Sequence, residues 1–190
     1  MNLGFGLGAG AGTLTIADGG TVIGNLGNGV FAQTGTAVTN AGLIRSTDAN
    51  YSGVALLGGT LGNQAPGLIV AEGNGVTASA STNTIDNAGI IVGRTGGVIG
   101  SDGYQTLNNT GVIAVGTAAN TVTQYWQINQ DYSNGDGVRF TAGGTVINTG
   151  GANNGGIIVG GANGLVITGG AATIENSGTI QGNTGYGVSL

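Results

Sequence analysis

Thr84-Ile85-Asp86-Asn87-Ala88-Gly89-Ile90-Ile91, continued by Val92-Gly93-Arg94-Thr95 and Gly96-Gly97-Val98, decides the fold because it recurs. The unit is an apolar residue, a spacer, Asn, a spacer, Gly and a branched apolar pair. It returns as Val38-Thr39-Asn40-Ala41-Gly42-Leu43-Ile44, Leu107-Asn108-Asn109-Thr110-Gly111-Val112-Ile113 and Ile174-Glu175-Asn176-Ser177-Gly178-Thr179-Ile180. Looser copies are Ile16-Ala17-Asp18-Gly19-Gly20-Thr21-Val22, Leu61-Gly62-Asn63 leading to Gly67-Leu68-Ile69, and Asn154-Gly155-Gly156-Ile157-Ile158. The register glycines fall at Gly20, Gly42, Gly67, Gly89, Gly111, Gly156 and Gly178, about 22 residues apart with one gap of double length. A fixed period in this range marks stacked supersecondary units.

Within each period the pattern is that of strands. An apolar residue before the Asn, the branched pair after the Gly and a later Gly-Val or Gly-Leu step (Gly29-Val30, Gly75-Val76, Gly164-Leu165) give three short β segments punctuated by Gly and Asn. Three strands and three turns in about 22 residues make one coil of an all-β, single-stranded parallel β-solenoid, in which no coil buries its apolar side alone. About seven coils are expected, and the coil length favours a right-handed three-sheet β-helix. Predicted core columns are Ile16/Val38/Leu61/Ile85/Leu107/Val146/Ile174 and Ile44/Ile69/Ile91/Ile113/Ile158/Ile180. The Asn column is expected at a corner, tolerating left-handed backbone and passing amide hydrogen bonds from coil to coil.

Composition sets the remaining bounds. Of 190 residues 44 are Gly and only 6% are charged, so Thr, Ser and Asn dress the surface. Three Arg, no Lys and a formal charge of −5 offer no basic stripe for nucleic acid. Cys and His are absent, which excludes disulfides and any Cys- or His-based chemistry. No apolar run reaches the ~20 residues of a membrane-spanning helix. An acidic, Lys-free, Thr/Asn/Gly-rich surface fits an extracellular location.

Residues 1–12 stand apart from the solenoid of residues 13–190. Leu3, Phe5, Leu7, Ala9 and Ala11 alternate with glycines, giving a strand with side chains on one face only. It reads either as a leader or as a strand that completes the open end of this solenoid or of a neighbouring molecule. A lateral insertion at 117–135 lengthens the Gly111-to-Gly137 step to 26 residues, where other coils use about eight to eleven. Tyr125, Trp126 and Tyr132 in it are candidates for binding glycans or host proteins, or for covering apolar wall. Asp131, Asn134 and Asp136 form an oxygen-rich loop that would suit Ca²⁺ or serve as a plain turn. Asp131 and Asp136 also have the residue types of a glycosidase pair, but carboxylates on one loop with no attached cleft read as solvated turn residues. No catalytic residue and no cofactor is assigned.

Two features point to association. Neither end shows an amphipathic cap, so either the solenoid continues or copies of the chain stack head-to-tail, as in a filament. If Ile91 and its equivalents face inward, then Leu68, Val70, Ile90, Val92, Val112, Ala114, Ile157 and Val159 face outward, while their terminal equivalents Arg45, Thr179 and Gln181 are polar. So long an apolar column is expected to be covered, by the insertion or by a partner.

The repeat, with its Asn-x-Gly-x-Ile core and the Gly-Gly-Thr-Val steps Gly19-Gly20-Thr21-Val22 and Gly143-Gly144-Thr145-Val146, resembles passenger domains of bacterial autotransporter adhesins and related haemagglutinin-like β-helices. That resemblance implies export, a secreted or bacterial cell-surface location, and adhesion or self-association. The expectation is a non-enzymatic structural or adhesive solenoid whose partner is itself. The alternative is a carbohydrate-binding or polysaccharide-processing β-helix working through the insertion.

Overall fold

A computed structural model describes residues 5–8, 10, 12–117, 128, 134–150 and 155–190, with Leu7 described for its backbone alone. Three strands are laid down per turn of the chain. The first turn holds β1 (Phe5–Leu7), β2 (Thr13–Ile16) and β3 (Thr21–Gly24), and the second β4 (Val30–Gln33), β5 (Ala37–Asn40) and β6 (Leu43–Ser46). The third holds β7 (Val54–Leu57), β8 (Thr60–Asn63) and β9 (Leu68–Ala71), and the fourth β10 (Asn74–Ala78), β11 (Asn83–Asn87) and β12 (Ile90–Gly93). Then come β13 (Gly96–Gly100), β14 (Gln105–Asn109) and β15 (Val112–Val115), followed by β16 (Val138–Phe140), β17 (Gly144–Asn148) and β18 (Ile157–Gly160). The seventh turn is β19 (Leu165–Ile167), β20 (Ala172–Asn176) and β21 (Thr179–Gly182), and β22 (Val188–Ser189) opens one more level.

Each strand pairs in parallel with the strand three places later. Sheet A runs β1-β4-β7-β10-β13-β16-β19-β22, sheet B β2-β5-β8-β11-β14-β17-β20, and sheet C β3-β6-β9-β12-β15-β18-β21. The chain is therefore an all-β parallel solenoid of about seven coils, with no helix among the described residues.

Registration explains the repeat. In sheet C the inward column is Val22, Ile44, Ile69, Ile91, Ile113, Ile158 and Ile180. Each Gly of the Gly-Val step lies against the inward Ile of its own turn: a Cβ on Gly53, Gly75 or Gly97 would stand 2.5 Å from Cγ2 of Ile69, Ile91 or Ile113. Only a residue without a side chain leaves room for the stacked Ile. Phe140, wholly buried, fills the sheet A column because its lower neighbour is Gly100, where a Cβ would meet its ring at 2.7 Å.

The predicted Asn column is continuous. Asn40, Asn63, Asn87, Asn109, Asn148 and Asn176 stand in register, each Nδ2 donating to the next Oδ1 at 2.7–2.8 Å across separations of 22 to 24 residues in the regular coils. They belong to strand ends and point into the solenoid, and none has left-handed backbone. Left-handed residues sit at the corner from sheet A to sheet B, at Gly35, Gly58, Ala80 (φ 69), Asp102 (φ 58), Gly143 and Gly169, and at the corner from sheet B to sheet C at Gly19 and Gly156. A second correction concerns Ile16. It pairs with Asn40, not Val38; Leu14 holds the core position above Val38. The chain spends two more residues between Ile16 and Thr21 than between Asn40 and Leu43, which shifts the first copy of the repeat by two.

Candidate association surfaces

Sheet C has two apolar faces in its middle coils. β9, β12 and β15 are buried at every position, because residues flanking the inward Ile column form outward columns: Leu68, Ile90, Val112 and Ile157 in one, Val70, Val92, Ala114 and Val159 in the other. Ile157 is half-buried; the rest are buried. Ile128, from the lateral insertion, is 6% exposed and packs with this second cluster. Of the two expected covers, insertion or partner, the insertion supplies at least this one residue. Leu68, Val70, Ile90, Val92, Val112 and Val159 are thus buried and do not form an exposed flank. Sequence reasoning missed Ile128, since a single Ile in an aperiodic stretch carries no sign of the face it will meet.

Tyr125, Trp126, Tyr132 and Asp131 lie outside the described residues, as does Leu3. Of the oxygen-rich loop, Asn134 is exposed and Asp136 is buried. The Asp136 carboxylate is already engaged on both oxygens. Oδ2 accepts Arg139 Nε at 2.6 Å and pairs with the second guanidinium nitrogen, while Oδ1 accepts the backbone N–H and the Nδ2–H of Asn163 at 3.2 and 2.8 Å. A carboxylate whose charge is met by Arg and whose lone pairs are filled holds a corner together and is poorly disposed to bind a cation. Among the described residues no group of three or more His, Cys, Asp or Glu side chains is placed to hold a metal ion. Asn163 Oδ1 in turn accepts the Tyr186 N–H at 2.9 Å, so Asp136, Asn163 and Tyr186 link three successive coils.

The ends differ from the middle. Strands β1, β2 and β3 form one edge of the three sheets and β20, β21 and β22 the other. β1 completes the first coil of its own chain, Phe5, Gly6 and Leu7 pairing with Val30, Phe31 and Ala32. At these edges residues of the inward columns are incompletely covered: Leu14, Val22, Ile174 and Ile180 are half-buried, Phe5 is 45% exposed and Val188 43%. Tyr186 and Leu190, at 71% and 74%, extend the apolar surface of the far end. Compared with family models, curated proteins and solved structures, the chain matches none of them.

Proposed function

We propose that this chain is a non-enzymatic, extracellular structural or adhesive β-solenoid that associates with copies of itself through the ends of its three sheets, as a filament subunit. The observation that carries the reading is the exposure at the two edges of the sheets, where, among the described residues, Phe5 and Val188 of the inward columns are more than two-fifths exposed on strands paired on one side. Exposed edge strands of a parallel sheet are templates for a further strand, and here each end offers three at once together with an apolar floor. Two different ends in contact give a heterologous joint, which repeats without closing. The surface of Thr, Ser and Asn with few charges, and the resemblance of the repeat to autotransporter adhesin passengers, support an extracellular setting. The flank of sheet C has no part in this joint.

Sedimentation velocity across a hundredfold range of concentration, with negative-stain electron microscopy, tests the reading. Linear multimers that grow with concentration are expected. A particle that stays monomeric throughout, with Trp126 fluorescence responding to added polysaccharide, would replace it with the glycan-binding alternative.

A further inference from the structure

Two Asn-x-Ser/Thr triplets occur in the chain, Asn50-Tyr51-Ser52 and Asn108-Asn109-Thr110. This triplet is the acceptor pattern for N-linked sugar: the side-chain amide nitrogen is glycosylated, and the hydroxyl two residues on is read by the transferase. The fold treats the two triplets differently. Asn50 stands exposed at the corner from sheet C to sheet A, between β6 and β7, whereas Asn108 is a half-buried outward residue of β14 in the middle of sheet B.

Resting on the extracellular setting proposed above, and independent of self-association, we infer that Asn50 is an acceptor for N-linked sugar, attached before the fourth coil closes over the third. The corner presents it. Seven residues, Thr47 to Gly53, join β6 to β7, where two residues join β9 to β10 and β12 to β13. Asp48 Oδ1 accepts the Asn50 backbone N–H at 2.9 Å and its Nδ2–H at 3.0 Å, and the Asp48 carbonyl accepts the Tyr51 N–H at 3.2 Å, which fixes a turn built on the Asp side chain. The loop lies down on Gly73 of the next coil, where a Cβ would clash with the Ala49 and Tyr51 carbonyls. Asn50 and Tyr51 are left on the outside.

Attachment is compatible with this turn. Nδ2 of Asn50 bonds to the anomeric carbon of a lipid pyrophosphate-linked sugar, the pyrophosphate departs with the electron pair of the broken carbon–oxygen bond, and Nδ2 gives up one of its two protons. One N–H remains for Asp48. At Asn108 the same product would stand about 4.8 Å from Asp86 on one side and from Ile147 on the other, on a strand paired at both edges, with Nδ2 held by Asp86 Oδ1 at 2.6 Å. Ser52 sets the timing. It is buried, its N–H donates to Asn28 Oδ1 at 2.8 Å, and its Oγ is hydrogen-bonded to Thr77 Oγ1 of the next coil, 25 residues on. A transferase that reads this hydroxyl meets it only before Thr77 is in place.

The test carries the full chain on a cleavable secretion signal through a eukaryotic secretory host whose transferase uses lipid pyrophosphate-linked oligosaccharide. Release with peptide-N-glycosidase converts an occupied Asn to Asp, so peptide mass reads occupancy at each position. Asn50 is expected to be occupied in most secreted molecules and on the order of tenfold more often than Asn108, where the sugar crowds its sheet neighbours. Asn50→Gln is expected to remove the sugar and leave the far-UV circular dichroism unchanged. Folded, unmodified chain incubated with microsomes of the same host should gain at least about tenfold less sugar at Asn50, because the corner must first open. Secreted chain that is bare at Asn50, or occupied at Asn108 in its place, would overturn the assignment, and folded chain modified as readily as emerging chain would overturn the timing. A chain found only inside its own producing cells would remove the extracellular setting, while the secreted chain still decides the acceptor chemistry.

Discussion

The middle and the ends of this molecule are built from one repeat and behave as different materials. In the fourth and fifth coils Ile85, Ile91, Leu107 and Ile113 are wholly buried, and Asn87 and Asn109 are sealed between neighbours. In the seventh coil Ile174 and Ile180 hold the same positions half-buried, and Asn176 is exposed. A repeat contributes little alone; what stabilises it is the coil above and the coil below. The difference teaches that position along the axis, more than residue type, sets what a substitution costs.

The sharpest test replaces the same residue in both places. Ile91→Ala should destabilise by about 2–5 kcal/mol, as for large-to-small changes in close-packed cores, and Ile180→Ala by about half as much, read as midpoints in urea. Equal losses would erase the distinction between middle and end. Next in size are the ladder amides. Asn87→Leu removes the donor to Asn109 Oδ1 in the interior, at about 1–3 kcal/mol, while Asn63 Nδ2 keeps the Gly67 and Ile90 carbonyls as acceptors; Asn176→Leu should cost less than about 1 kcal/mol. Gly97→Ala places a methyl 2.3 Å from the Gly137 carbonyl and 2.5 Å from Ile113 Cγ2, and overpacking of this kind costs about 1–3 kcal/mol. Ala80→Gly works in the opposite direction: relief of a left-handed Cβ should outweigh the added chain entropy and raise the melting temperature, by less than about 1 kcal/mol in stability. Smallest of all is the exposed Arg94–Glu72 pair, 3.1 Å apart; Arg94→Gln should change stability by less than about 1 kcal/mol and weaken its dependence on salt.

Much of the fold was legible because its determinants repeat. The Ile column of sheet C, the Gly-Val step and the Asn ladder each show one residue type at one phase, and stacking turned phase into contact. Ile16 is buried in the core as expected, but it stands in the row of Asn40 and not of Val38, because of two extra residues in the Ala17–Gly20 corner that pattern alone does not weigh. The surfaces were less readable. Ile128 on the outer face of sheet C comes from a stretch outside the period, and Asn163 reaches the Asp136 carboxylate from the same corner of the next coil, 27 residues on. Asp136 read as a loop oxygen because its chemistry comes from the next coil, not from its own. The aromatic residues Tyr125, Trp126 and Tyr132 fall outside the described residues, and the expectation that they bind glycans rests on sequence.

The amide column also gives the molecule a direction. From Asn40 to Asn176 every side-chain donor points the same way, an orientation fixed where the Gly42 and Gly178 backbone N–H groups can only donate to Oδ1 of Asn40 and Asn176. Aligned dipoles of this kind polarise one another. The rod therefore carries an electrical sense along its length, with oxygen leading at one tip and hydrogen at the other. Two like tips meet with like partial charges, two unlike tips with opposite ones, and a thread assembled from such rods inherits a single heading.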